Sequence, residues 1–237
     1  MRSYVTRLEP GASPVSAIRG KEFTMRYEPY EVIELPNNRA LKIYHDDNAE
    51  SPREQWDHPD IMACFHKRYN LGDLEKRHGY NSDHYDSWEE MAEAIEENEK
   101  PLIIQPLYLY DHGGLTISTG RFSCPWDSGQ IGFIWITEES LSVTHGSDSQ
   151  YREPEYLKKI IEASVEEYDK YLRGDIYGFQ LIQRKTCDLG HTHEDVIDSC
   201  WGFYGDNVLE NGMLDHLDRE DSQHIRQQLK PNKRSAV

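Results

Sequence analysis

The chain has 237 residues and a formal net charge of −17, set by 26 Lys and Arg against 43 Asp and Glu. A field of that sign repels phosphate backbones and anionic lipid at encounter, which argues against a general nucleic-acid or membrane-surface binder and fits a basic partner or plain solubility. Only 37% of residues are hydrophobic, but 15 Tyr, 6 Phe and 5 Trp supply enough apolar area for a folded core without disulfide or metal staples.

Cys64, Cys124, Cys187 and Cys200 are widely spaced and form no CxxC pair, which suits free thiols in a reducing cytosol. The opening MRSYVTRLEP has no apolar signal region, and no run of 18 apolar residues occurs. The expectation is a protein that is neither exported nor membrane-spanning.

In chain order, Tyr30–Leu35 and Ala40–Tyr44 read as strands joined in a hairpin by Pro36-Asn-Asn-Arg. Pro59–Tyr69 reads as a short helix with proline near its first turn. Ser87 and Glu90 form a capping-box pattern, and Trp88, Met91 and Ile95 make a narrow apolar stripe, so a second helix runs to Pro101. Leu102–Tyr110 reads as a buried strand with Pro106 limiting its pairing, followed by strands at Thr116–Thr119 and Gln130–Thr137. The strongest helix spans Pro154–Leu172, where Leu157, Ile160, Ile161, Val165, Tyr168 and Leu172 repeat at helical spacing and Gly174 is placed to end it. Ile176–Ile182 and Val196–Tyr204 form a hairpin, and Asp206 caps a last helix through Leu217. Grouped rather than alternating strands and helices predict an α+β fold, a mostly antiparallel sheet packed with about four helices.

Several clusters carry chemistry-bearing residues. Cys187, His191 and His193 lie in one polar loop and constitute a candidate small metal-binding module, although zinc favours two separated ligand pairs. Cys124 precedes Asp127 in a turn-prone segment, and His112 stands upstream across a hairpin. With Asp111 or Asp127 orienting the imidazole, Cys124 and His112 form a candidate nucleophile and base for a cytosolic hydrolase of a small molecule or nucleotide signal. His45, Asp46 and Asp47 are adjacent and read as a solvated turn, since neighbours on a strand do not all face one way. No phosphate-cradling glycine loop is present.

Charge is unevenly distributed: residues 1–27 carry +3, residues 225–237 carry +4 and the body between them −24. Residues 81–100 hold eight acids and one lysine. Such a run is ordinarily a solvated helix face, and carboxylates at helical spacing also imitate a nucleic-acid backbone toward a basic groove.

At Pro106-Leu-Tyr-Leu-Tyr-Asp-His-Gly-Gly, Phe122-Ser-Cys-Pro-Trp-Asp-Ser-Gly-Gln-Ile-Gly-Phe, Tyr168-Asp-Lys-Tyr-Leu-Arg-Gly-Asp-Ile-Tyr-Gly-Phe and Asp198-Ser-Cys-Trp-Gly-Phe-Tyr-Gly, the chain resembles a family of accessory proteins of phages, prophages and plasmids. The likeness spans roughly residues 101–217. It implies a mobile-element product acting in the bacterial cytoplasm, of a kind that blunts host defence.

The combined expectation is a single α+β domain over residues 28–229 between flexible basic segments at 1–27 and 230–237. It acts without catalysis or cofactor and contacts neither nucleic acid nor membrane directly. Its partner is a host defence protein with a basic groove, such as a CRISPR effector or restriction enzyme. The binding residues are Glu89, Glu90, Glu93, Glu96 and Glu97 with Trp126, Asp127 and Trp201.

Overall fold

The structure is a computed structural model that describes residues 28–146 and 148–229, so the terminal segments 1–27 and 230–237 lie outside the described residues. Strands β1 (Glu31–Leu35) and β2 (Arg39–His45) form the expected hairpin. Asn37 and Asn38 take φ of 62 and 57°, the left-handed pair that a two-residue turn requires and that asparagine tolerates. A short helix α1 (Pro52–Gln55) follows.

Residues 59–69 are not helical, contrary to the sequence expectation: Asp60–Cys64 is strand β3. Proline at a helix start is a weak local signal. Here burial of Met62 and Ala63 in a sheet outweighs it. Helix α2 (Glu75–His78) ends at Gly79, and α3 (Trp88–Glu99) is capped by Ser87, whose side chain accepts from the Glu90 amide at 3.2 Å. Lys100 in the left-handed region terminates α3 one residue before Pro101.

Strands β4 (Ile103–Asp111), β5 (Leu115–Ser118) and β6 (Ser128–Ile136) complete a sheet of order β3-β6-β4-β5. Pro106 pairs only toward β6, because β5 joins from Tyr108 onward; its missing amide therefore faces no partner. Helix α4 (Glu138–His145), which sequence reading left out, precedes α5 (Pro154–Leu172), whose bounds match expectation. The Asp175 amide reaches the Lys170 carbonyl and the Gly174 amide that of Tyr171, with Gly174 at φ +70°, which closes α5 in a Schellman motif.

Strands β7 (Ile176–Thr186) and β8 (Thr192–Tyr204) form a long hairpin and give a second sheet of order β1-β2-β7-β8. The last helix is not capped by Asp206. Helix α6 (Arg219–Gln228) is capped by Asp218, and Leu214 belongs to a separate 3-10 turn. The fold is α+β with antiparallel pairing throughout, in two four-stranded sheets and with six α-helices among the described residues instead of one sheet and four.

One face of the sheet β3-β6-β4-β5 packs on α4 and α5 through Met62, Leu107, Ile134, Leu141 and Ile161. Its other face, through Ala63, Phe133 and Trp135, takes Met91 and Ile95 of α3. The sheet β1-β2-β7-β8 buries one face, with Leu41, Ile43, Phe179 and Leu181, under Leu214 and Ile225. Its opposite face carries Tyr44, Gln180 and Trp201 and has no helix over it among the described residues.

Candidate functional site

The acidic helix comes first. Met91 and Ile95 bury one side of α3 and fix it on the sheet, and Glu89, Glu90, Glu93, Glu96 and Glu97 are all exposed. None of the five forms an ion pair among the described residues. Three acids of the other sheet are treated differently: Glu34 meets Arg184, Glu194 meets Lys42 and Arg184, and Asp195 meets Lys185. Those cations hold the carboxyls of Glu34, Glu194 and Asp195 below their usual values. At a rise of about 1.5 Å per residue, the glutamates of α3 span about 12 Å of helix axis.

A second cluster gathers at the far end of β4. The His112 Nδ1 lies 3.2 Å from Asp127 Oδ2, and the Cys124 thiol donates to the same oxygen at 3.6 Å. The Asp111 amide donates to the Asp127 carbonyl at 2.8 Å, and the Ser128 hydroxyl donates to the Cys124 carbonyl at 2.5 Å, which ties the loop to the hairpin. Fold and turn thus bring together Cys124, His112 and Asp127 as the spacing suggests. Sulfur and imidazole both address the carboxylate and not one another, so the imidazole is not aligned to take the thiol proton. Trp126 beside them is 92% exposed.

Cys187 and His191 sit in the β7–β8 turn, where the Cys187 amide donates to the His191 carbonyl at 2.9 Å, and His193 enters the ladder opposite Lys185. Among the described residues no group of three His, Cys, Asp or Glu side chains is placed to hold a metal ion, and these three are not brought together. Trp126 and Trp201 also lie apart: one precedes β6 of one sheet, the other is on β8 of the other.

Sequence reading missed a buried polar centre. Arg53 of α1 donates bidentately to Asp73 at 3.0 and 2.8 Å and to both oxygens of Asp60 at 3.0 Å. The Ser164 hydroxyl adds contacts to Asp60 at 2.8 and 2.7 Å, and Asp73 also accepts from the Met62 amide at 2.8 Å. All four side chains are buried. The two carboxylates raise the Arg53 pKa against the opposing effect of burial. No local pattern announces this cluster, because its members come from α1, β3, a loop and α5.

The centre borders a groove of about 1010 Å3 lined by Cys64, Phe65, Tyr69, His78, Trp88 and Tyr171, among others. Burial pushes the Cys64 thiol up to about 12, so it stays protonated. His78 accepts the Tyr80 amide at Nδ1, 3.1 Å away, and burial lowers its pKa, which keeps the ring neutral with its proton on Nε2. The Tyr168 hydroxyl, which accepts from the Gly72 amide at 2.8 Å, is likewise held protonated by burial. Neither the Cys64 thiol nor the Tyr168 hydroxyl is activated as a nucleophile by this surrounding.

All four cysteines are free thiols, and no helix among the described residues is long and apolar enough to cross a membrane. Comparison with protein-family models, with curated proteins and with solved structures finds no match.

Proposed function

We propose that the protein is a non-catalytic acidic binder encoded by a mobile element, and that the glutamate face of α3 occupies a basic groove on a host defence protein such as a CRISPR effector or restriction enzyme in the bacterial cytoplasm. The supporting observation is the contrast in how acids are used. Glu34, Glu194 and Asp195 on the sheet β1-β2-β7-β8 are neutralised by Lys and Arg, whereas the five on α3 are exposed and without an ion pair among the described residues. Glu89 with Glu93, and Glu93 with Glu97, are like charges at i,i+4, which weakens a helix. Glu96 and Glu97 also stand in a last turn that holds no basic residue, the wrong end of the helix dipole. A helix that retains this self-repulsion on a rigid apolar base is preorganised for a cationic groove.

The test is binding at low ionic strength to purified candidate nucleases, with nucleic acid as competitor. Salt-sensitive complex formation that Glu93→Lys and Glu97→Lys abolish supports the reading. Absence of any complex below physiological salt, or binding indifferent to these reversals, overturns it.

The cluster at Asp127 favours a second reading, a Cys124/His112 hydrolase. Rapid alkylation of Cys124 in the native protein at neutral pH, abolished by His112→Ala, would support it. Labelling no faster than that of a free thiol peptide eliminates it.

A further inference from the structure

On the open face of the sheet β1-β2-β7-β8, three residues stand in one cross-strand row: Tyr44 of β2, Gly178 of β7 and Trp201 of β8. The glycine is there for the tryptophan. A Cβ at position 178 would lie 2.0 Å from Trp201 Cε3 and 2.3 Å from Cδ2, so the indole leans across the backbone of β7, toward Tyr44. Its centroid is 6.2 Å from that of Tyr44, with the planes 34° apart. The indole is therefore held from beneath, yet Trp201 remains 45% exposed. A large ring fixed in place and left wet has the form of an anchor platform.

The platform floors an open cleft of about 550 Å3 bounded by Tyr44, His45, Asp46, Asp47, Asn48, Gln180 and Trp201. That volume lies within the range of small-ligand and side-chain sites. The polar groups are of one sign. Neither Asp46 nor Asp47 forms an ion pair among the described residues, although Asp46 Oδ1 accepts the Asn48 amide at 3.3 Å. The turn is anchored by the Asp46 amide on the Ile176 carbonyl at 2.8 Å. The single basic ring in the lining, His45, is packed between Tyr30 and Tyr177 at 5.1 and 4.7 Å. Lys42, two residues before Tyr44 on the same face, is taken up by Glu194.

We propose that this cleft binds an arginine side chain presented by a basic peptide segment, with the guanidinium stacked on Trp201 beside Tyr44 and hydrogen-bonded to Asp46 and Asp47. The chemistry selects that occupant. Indole and phenol faces are electron-rich and attract a planar cation, arginine most of all. Two carboxylates supply the fork-shaped acceptors a guanidinium needs. The same carboxylates repel phosphates and acidic peptides. The site is independent of the α3 face, so it stands whether or not that helix binds a partner.

The experiment uses the full chain and a capped Gly-Arg-Gly-Arg-Gly peptide, with citrulline, lysine and glutamate counterparts, followed by the indole Nε1 resonance of Trp201 in a two-dimensional NMR titration. The resonance is assigned from Trp201→Phe. We expect a saturable shift with the arginine peptide, a dissociation constant about tenfold higher for citrulline, and weakening of about tenfold in the Asp46→Asn, Asp47→Asn double variant. Glu96→Gln with Glu97→Gln leaves it unchanged, which separates this site from the α3 interface. Equal affinity for arginine and citrulline, no shift at millimolar peptide, or a shift produced by a neutral oligosaccharide or nucleoside while the peptides give none, overturns the proposal. Because the double variant leaves β8 untouched and asparagine at position 46 can still accept the Asn48 amide, it keeps the test decisive even where Trp201→Phe disturbs β8.

Discussion

Replacement of Glu96 and Glu97 by glutamine should make the protein more stable, not less. The substitution keeps length, shape and helix propensity nearly constant. It removes the i,i+4 repulsion between Glu93 and Glu97, the i,i+3 repulsions of Glu96 with Glu93 and Glu99, and two negative charges from a last turn that contains no cation. Like-charge pairs cost about 0.2–0.5 kcal/mol each, and a charge at the wrong helix end about 0.3–1 kcal/mol at low salt. The expected gain is about 1–2 kcal/mol near 20 mM salt, or roughly 2–8 °C in Tm for a chain of this size. At about 0.5 M salt, where screening acts within roughly 4 Å, most of the gain should vanish. Urea or thermal unfolding followed by circular dichroism at the two ionic strengths measures it. A double variant no more stable than the parent at low salt, or a gain that survives high salt, refutes the claim that α3 bears uncompensated repulsion.

Arg53→Met should cost about 3–5 kcal/mol in urea unfolding, since it strands Asp60 and Asp73 as buried carboxylates without their counterion. Stability should fall as pH drops from about 7.5 to 5.5: burial holds the His58 and His78 pKa values below the usual 6.5, so the unfolded chain takes up protons that the folded chain refuses. His78→Gln should flatten that slope, measured as the urea midpoint against pH. Brief alkylation of the native protein followed by peptide mass mapping should label Cys187, exposed at the hairpin tip, and spare Cys64. Gly132→Ala should destabilise by about 1–3 kcal/mol or prevent folding, because the new Cβ would lie 1.9 Å from the Ala63 carbonyl in the centre of a sheet.

Legibility from sequence followed the range of the forces involved. Helix α5 was readable to the residue because its periodicity, its proline start and its glycine stop are local and agree. The β1–β2 turn was readable because Asn-Asn suits a left-handed pair. Strand β3 was misread because Pro59 carries a helix-start signal, while the pairing of Met62 with Ile134 that decides the matter comes from a segment far along the chain. The Cys124, His112 and Asp127 grouping was foreseen because a hairpin brings its ends together. The Arg53 centre was invisible because a lone arginine, two aspartates and a serine scattered over more than a hundred positions have no pattern until α1 and α5 meet over β3. The Trp201 platform was half visible: the tryptophan was singled out as an anchor, but its support, Gly178, belongs to a different strand.

The recurrent Gly and aromatic motifs acquire a physical role from these contacts. Gly132 lets β3 lie against β6, and Gly178 lets Trp201 lie across β7, so the Gln-Ile-Gly-Phe, Ile-Tyr-Gly-Phe and Cys-Trp-Gly-Phe runs describe how the two sheets are built. The motif that ends in Asp111-His-Gly-Gly is tied to Pro-Trp-Asp by the Asp111 amide on the Asp127 carbonyl, again a scaffold contact. Helix α3 lies before the motif-bearing region and packs on the same sheet from the opposite side to α5. Its buried residues are few and ordinary; among its exposed glutamates Glu90 accepts the Asp86 amide at 2.7 Å, and Glu89, Glu93, Glu96 and Glu97 form no ion pair among the described residues. Core physics therefore accounts for the motifs and does not account for the charge on α3. The charge is the feature whose removal separates a binding protein from a merely soluble one: the glutamine variant should fold better and bind worse. Improvement in both, or loss of neither, would return those glutamates to the solvent.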